Sequence, residues 1–477
     1  MVFLRKNMLA ILVLAYSTVT GQDTSYTQLT TIVVSANKLK EKRIESPVAI
    51  SILSPKTVDE AKAQRIDFLL NKVSGVYMPT IGNEQHMMSI RQPISLKGLY
   101  LYLEDGMPIR TSGLFSSNAL IEMNSSNIHS IEIIKGPASA LYGAEAIGGV
   151  VNILTTPVPS KADAFISTQI TNTGFKKLDL SWGAPTKTGG WMISAAFTDQ
   201  KNGITEYSDF NKKALSVKRT FRVNEKLKGY QNLQYINYYT QMTGSLDSIK
   251  FFQKNFGSQQ SFTFRKIDAL RFRQNLDYNW NTHSNTTFNF MYRNNTMDQN
   301  PAYLIASTAN ATKFKGQVNS NHFDAYVLDL QHIWSIPLLS SKIMLGGYWD
   351  ITNQNLIANY IDIVKDTSIG KFTKYTYPIR DSLITNYNTQ ISNKAIYFNY
   401  IANLNKAIRL NMTMRYDNFE YLFNNLLPIG TPSANNNFTQ FTPKLGLTYN
   451  QRKWGGYLNY SKGFVPPQIT EIYNAIR

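Results

Sequence analysis

The sequence predicts a small α+β domain followed by an antiparallel β-barrel built to cross a membrane, and three observations carry that reading. First, Ile131 to Thr155 (IEIIKGPASALYGAEAIGGVVNILT) reads as strand, one turn of helix and returning strand. The apolar run Ile131, Ile133, Ile134 stops at Gly136-Pro137, Ala138 to Tyr142 forms the turn, and Val150 to Leu154 returns after Gly148-Gly149. Second, beyond Pro157-Val158-Pro159 apolar and polar residues alternate with period two: Leu178, Leu180 and Trp182 against Lys177, Asp179 and Ser181. Third, the 477 residues are 12% aromatic with 28 Tyr, and beyond the N-terminus no apolar run nears the ~20 residues of a helical span. A soluble β sandwich also alternates, but it turns its polar face outward.

Taken in order, Arg5 and Lys6 precede the apolar run Met8 to Tyr16, and small residues follow to Gly21. This is the layout of a signal peptide over residues 1–21, cleaved before Gln22. Thr31-Ile32-Val33-Val34-Ser35-Ala36 is a short β-branched run suited either to strand addition onto another protein or to the first strand of the domain. Pro47 to Leu53 alternates as a strand. Val58 to Val73 carries Ile66, Leu69, Leu70 and Val73 at helical spacing, ending near Gly75. A strand at Val76 to Met78 leads into the loop Pro79 to Met88, where Asn83, His86, Met87 and Met88 are polar or soft side chains; a lone loop histidine also reads as simply solvated. Glu104-Asp105-Gly106 between Leu99 to Leu103 and Met107 to Ile109 is a tight-turn signal.

In the second half the alternation recurs at Leu270, Phe272, Leu276 and Tyr278 against Arg271, Arg273, Asn275 and Asp277, and again at Met412, Met414 and Tyr416. Short connections such as Gly183 to Gly190 suit periplasmic turns, whereas Asn300 to Asn321 and Gln354 to Gln390 read as long extracellular loops. The absence of cysteine excludes disulfides and thiolate chemistry. Net charge of +18 comes from dispersed Lys and Arg without a basic tract, which disfavours nucleic acid as a partner. Phosphate-loop and nucleophile-elbow patterns are missing, since no GK[ST] follows the glycines and Ser139 lies in GPASALYG.

The ordered string at Ile131 to Thr155 resembles the signature of TonB-dependent outer-membrane receptors, in which it closes a plug domain held inside a barrel. Glu132, Lys135, Gly136, Pro137, Ser139, Tyr142, Gly143, Gly148 and Gly149 carry the match. Tyr460 to Pro467 (YSKGFVPP), with Glu471 and Tyr473, resembles a barrel segment that the family writes GFRAP, with Val465 in place of its Arg. The resemblance implies four parts: a signal peptide (1–21), a periplasmic segment with the TonB box Thr31, Ile32, Val33, Val34, Ser35 and Ala36 (22–40), a plug (41–156) and a barrel (160–477). Arg91 and Lys135 match basic plug positions that face acidic groups on the barrel wall, and the loop with Asn83, His86, Met87 and Met88 matches the plug apex that faces the ligand.

What the resemblance implies is active import at the outer membrane of a Gram-negative bacterium, with no catalysis and no cofactor. The partners would be the TonB energy-transducing complex, the outer membrane with its lipopolysaccharide, and a scarce ligand. A ferric siderophore is the first choice, with cobalamin, another metal chelate or a glycan as alternatives, and a non-transporting receptor on the same scaffold as a second class. About a dozen strand-like segments follow Ala164, against the ~22 strands of plugged transporters. The sequence therefore predicts an incomplete barrel, an open wall with unpaired edges near Phe165 and Tyr457.

Overall fold

The structure is a computed structural model and describes residues 32–33, 37–114, 118–308, 313–378, 382–451 and 454–473. The chain divides into two units, Met1–Ile32 and Val33–Arg477. The expected signal peptide lies outside the described residues, as do Thr31, Val34, Ser35 and Ala36 of the expected box. Plug and wall both belong to the second unit.

The plug is organised on a five-stranded sheet. Its strands are β1 (Ile50–Leu53), β4 (Tyr100–Glu104), β5 (Met107–Pro108), β6 (Ile128–Lys135) and β7 (Gly149–Thr155), in the order β1-β6-β7-β4-β5. Between β1 and β4 a small hairpin, β2 (Thr80–Gly82) and β3 (Gln85–His86), stands off this sheet. The β6–β7 pair is antiparallel with Ile133 opposite Val151, the return predicted from Ile131 to Thr155, and α3 (Ser139–Tyr142) is its single turn of helix. Ile131, Ile133, Val151 and Ile153 are fully buried against Leu70, Met88 and Ile109. That dry cluster drives the folding of the domain.

One expected helix, Val58 to Val73, is in fact two: α1 (Pro55–Ala61) and α2 (Ile66–Leu70). Ser54 caps α1 by accepting from the Thr57 amide, and Lys62 ends it in a left-handed conformation at φ 43°. Arg65 then extends and forks onto Asp67 at 3.0 and 3.1 Å, starting α2.

The wall is one sheet whose main path is antiparallel, strand to next strand throughout: β8 (Asp163–Ile170), β9 (Phe175–Thr186), β10 (Gly189–Gln200), β11 (Phe210–Arg222), β12 (Leu227–Gln241), β13 (Phe264–Asn281), β14 (Ser284–Asn300), β15 (Lys313–Ile336), β16 (Ser341–Asp366), β17 (Leu383–Asn403), β18 (Ile408–Asn425), β19 (Ala434–Asn450) and β20 (Gly455–Ser461). Among the described residues β8 and β20 do not pair, so the sheet is open, as expected. Its faces are inverted relative to a soluble sheet. Leu215, Leu233, Leu330, Ile396 and Phe441 are exposed on one side, while Lys218, Asn232, Arg271 and Arg415 are buried on the other. Five of the six Trp lie within a few residues of short turns, at Trp182, Trp191, Trp280, Trp334 and Trp454, and all are exposed. An aromatic girdle at one rim of a lipid-facing band has this form.

Two expected loops are largely strand. β15 begins at Lys313, β16 continues to Asp366 and β17 begins at Leu383, which leaves only 301–312 and 367–382 as connections at those two places. A barrel strand needs ~10 residues to cross lipid, whereas β15 has 24 and β16 has 26. These extensions are rich in Asn, Asp and Lys and so read as loop, although Ile361 and Ile363 of β16 are buried in an apolar cluster with Phe372 that forms only when separate connections meet.

Candidate functional site

The plug is held on the inner face of the wall by apolar contacts at Met107, Leu114 and Ile121 and by charged and amide side chains, whose three patches define the site. The first is the Glu104-Asp105-Gly106 turn. Asp105 and Gly106 take positive φ, as the Asp-Gly signal predicts. Asn152 accepts from the Gly106 amide at 2.9 Å, and the Asp105 carboxylate accepts from the Thr155 amide at 2.8 Å and its hydroxyl at 2.7 Å. From the wall, Arg271 pairs with Glu104, and Asn232 donates to the same carboxylate at 3.0 Å. Arg273 donates to the Glu104 and Asp105 carbonyls, each at 3.0 Å, and Lys218 stands 3.5 Å from Asp105. Burial by itself would raise the Asp105 carboxyl, but Lys218 and Arg273 outweigh it and hold the group below its ordinary range.

The second patch is the β2–β3 hairpin. Asn83 donates to Thr240 Oγ1 and to the Ser208 carbonyl, both at 2.8 Å, while the Tyr238 hydroxyl donates to the Asn83 carbonyl at 2.7 Å. Lys212 pairs with Glu84 at 2.5 Å, and Arg265 donates to Gln85 at 2.6 Å. In the third patch, residues 37–45 meet the wall: Lys38 lies 3.3 Å from Asp329, and Arg409 bonds Glu41 at 2.9 Å and Glu45 at 2.5 Å. Burial pulls the Lys38 ammonium below its ordinary value against the attraction of Asp329.

These contacts correct two expectations. Arg91 and Lys135 were expected to meet acids on the wall. Among the described residues neither makes an ion pair; Lys135 donates to the Ser74 carbonyl and the Arg91 amide to that of Gly75, both within the plug. The lock has mainly the opposite polarity, with wall cations on plug acids; among the described residues Lys38–Asp329 and the exposed pair Lys97–Glu471 at 3.7 Å run the expected way. The second concerns the apex side chains. Asn83 is an anchor to the wall, Met88 is 1% exposed in the plug core, and Met87 is half-buried with its amide donating to Pro79. His86 is 2% exposed, edge-on to Tyr102, with Nδ1 beside the Glu84 carbonyl; burial lowers its pKa to about 4, so it is neutral at physiological pH. A hydrogen-bonded hairpin has replaced the open loop because its polar groups find partners on the wall. Of the expected box, Ile32 is exposed but Val33 is fully buried with Ile50, Leu103 and Val150. The branched side chain of Val33 fills the plug's second apolar cluster.

The two motif stretches meet in space. After Ser461 the chain leaves the wall and turns onto the plug, where the Ser461 hydroxyl donates to the Pro137 carbonyl at 3.2 Å and the Phe464 amide to Ser139 Oγ at 3.3 Å. The Glu145 amide donates to the Phe464 carbonyl at 3.1 Å, and the Ile469 amide to Gly113 at 2.9 Å. Arg415, locked by Asp417, donates to the Leu141 carbonyl at 3.4 Å. Gly143 has φ 87°, and a Cβ there would sit 2.9 Å from the Arg415 guanidinium, so two constraints require glycine. Burial pushes the Glu145 carboxyl up to about 7, against the Gly113 amide and Arg110. Sequence reasoning missed Arg265, Arg271, Glu104 and Glu145 as site residues. Period two alone placed Arg271 on the wet face, and nothing local distinguished it from other lumen residues.

The comparisons with known proteins agree with this geometry. The family model described as TonB-dependent Receptor Plug Domain matches residues 42–150, and that described as TonB dependent receptor-like, beta-barrel matches 186–476. The vitamin B12 transporter BtuB of Vibrio vulnificus is 27% identical over 176 residues, which cover 36% of this chain and 28% of that protein. Among solved structures, the unliganded ferric citrate transporter FecA superposes with a TM-score of 0.75 at 16% identity, covering 90% of this chain and 64% of its own. FpvA of P. aeruginosa in complex with a pyoverdine and iron gives 0.75 at 13%, covering 92% and 59%. At such identity the likeness shows the fold, and the chain spans less than two thirds of the length of these relatives.

Proposed function

Starting from the premise that the chain belongs to the TonB-dependent receptor family, whose members are outer-membrane β-barrel proteins, we propose that it takes part in active import of a scarce ligand across the outer membrane. A ferric siderophore is the cargo that the solved relatives favour, as FecA and FpvA are named for ferric citrate and a pyoverdine–iron complex; the B12 transporter keeps cobalamin in view. The carrying observation is the way the plug is docked: its core is a continuous apolar cluster, whereas its contacts with the wall are mixed, with ion pairs and amide hydrogen bonds beside smaller apolar contacts at Met107, Leu114 and Ile121. Such directional contacts exchange for water with little loss once pulled apart, so a folded plug can be shifted without being unfolded.

In this reading the rim with long connections faces outward and receives the cargo, and Thr31 to Ala36 adds as a strand to the TonB energy-transducing complex in the periplasm. No bond is broken, and the family is one of transport receptors rather than enzymes. The test is growth of a deletion strain under iron limitation with a panel of ferric chelates, alongside cobalamin uptake. Rescue by the intact gene with one cargo, lost on deletion of residues 31–36 while cell-surface binding persists, is the expected result. Uptake that survives this deletion would refute the proposal, and binding without uptake in the intact protein would favour a non-transporting receptor.

A further inference from the structure

Three buried arginines of the wall are paired with a carboxylate: Arg271 with Glu104, Arg293 with Asp350 at 2.7 Å and Arg415 with Asp417 at 2.8 Å; the half-buried Arg409 likewise has Glu41. Arg273 lacks a carboxylate bond of its own but acts on Asp105. Arg265 departs from the pattern. It is 6% exposed, and the side chains that accept from it are neutral: Gln299 Oε1 accepts from Nε at 2.9 Å and from Nη2 at 2.7 Å, and Gln85 Oε1 from Nη1 at 2.6 Å. Among the described residues no carboxylate pairs with it, and the nearby acid Glu84 is taken by Lys212. A guanidinium cannot shed its proton, and burying its charge without a counter-charge is costly. Amide oxygens satisfy its donors without neutralising it.

Its position tells what could. Arg265 is the second residue of β13, at the rim where residues 242–263 form a long connection, and the phenol of Tyr303, itself two-thirds exposed, lies beside it. On its other side Gln85 belongs to the plug hairpin. We infer that Arg265 is a subsite for a carboxylate of the cargo, and that its engagement draws the guanidinium away from Gln85 and loosens the hairpin on the side that the cargo approaches. This rests on the import reading for the word cargo alone; the binding chemistry is a property of the isolated protein.

The experiment is calorimetric titration of the full chain in detergent with citrate as the probe, at fixed ionic strength in chloride. Saturable binding is expected, weakened ~10-fold or more in Arg265→Gln, as the loss of one charge-assisted contact implies, and retained in Arg265→Lys. A second variant, Gln85→Leu, removes the competing acceptor and should bind citrate more tightly than the natural chain; a purely structural Arg265 predicts no gain. Absence of saturable citrate binding, or equal binding by Arg265→Gln, overturns the proposal. Neither result depends on uptake, so failure of transport with citrate binding intact would count against the import reading alone.

Discussion

The plug is held together and held in place by different physics. Its core is a continuous set of apolar side chains, Leu53, Leu70, Ile131, Ile133 and Val151 among them, that need no partner geometry. Its seat on the wall mixes small apolar contacts, Ile121 in one cluster with Phe175 and Ile236 and Met107 with Met291 and Val327, with a larger set of charges and amides, several with buried atoms that lack a hydrogen-bond partner, such as Arg271 Nε, Arg273 Nε and Asn232 Oδ1. A core optimised for burial resists opening everywhere at once, whereas an interface of directional contacts can be undone patch by patch. A domain that must stay folded while moving needs that contrast.

The contrast can be broken from either side. The largest effect is expected from Ile133→Ala, which empties a fully buried site and should destabilise the plug by about 4 kcal/mol, read as a lower urea midpoint for loss of plug structure with wall signals unchanged. Next is the pH dependence of the Glu145 carboxyl. Its folded pKa of about 7 lies above the ordinary value of 4.5, so the folded state binds the extra proton. Stability is fully present below pH ~4.5, falls by roughly 3.5 kcal/mol as pH rises to ~7, and is flat beyond. Glu145→Gln should abolish that slope in denaturation series run from pH 4.5 to 8. Then Glu104→Gln leaves Arg271 buried without its partner and should weaken seating by about 3 kcal/mol. The expected signature is faster hydrogen exchange at the plug–wall contacts with protection of the core strands intact; Glu104→Gln combined with Arg271→Gln should recover part of the loss. The smallest effect is expected from Arg91→Ala and Lys135→Ala, each within about 0.5 kcal/mol in the same exchange measurement, because their bonds stay inside the plug.

Much of the fold could be read in the sequence because periodicity reports one-sided burial. The β6–α3–β7 return, the Asp-Gly turn and the alternating wall were all visible, and the open sheet followed from counting segments. What could not be read depends on pairing at long range. Nothing near Lys62 announced a left-handed cap, and the apolar cluster at the ends of the long strands, Ile361 and Ile363 with Phe314 and Phe372, is assembled from separate segments. The polarity of the lock was hidden for a similar reason: Glu104 and Arg271 are 167 residues apart, and each alone is only a charged residue in an extended run. Resemblance matched Arg91 and Lys135 to basic plug positions but could not say which side chains this wall supplies.

The meeting of the two motif stretches also sets an order of assembly. Pro137 and Ser139 wait on Ser461 and Phe464, which are synthesised 324 and 325 residues later. The core residues of the plug are all in place by Ile153, but this clasp closes only once the stretch after β20 is present, and ring closure over such a distance carries the entropy penalty of a late, slow step. The polar part of the surface that serves for seating therefore has a second property: its charges and amides can be solvated until the strands that receive them are present.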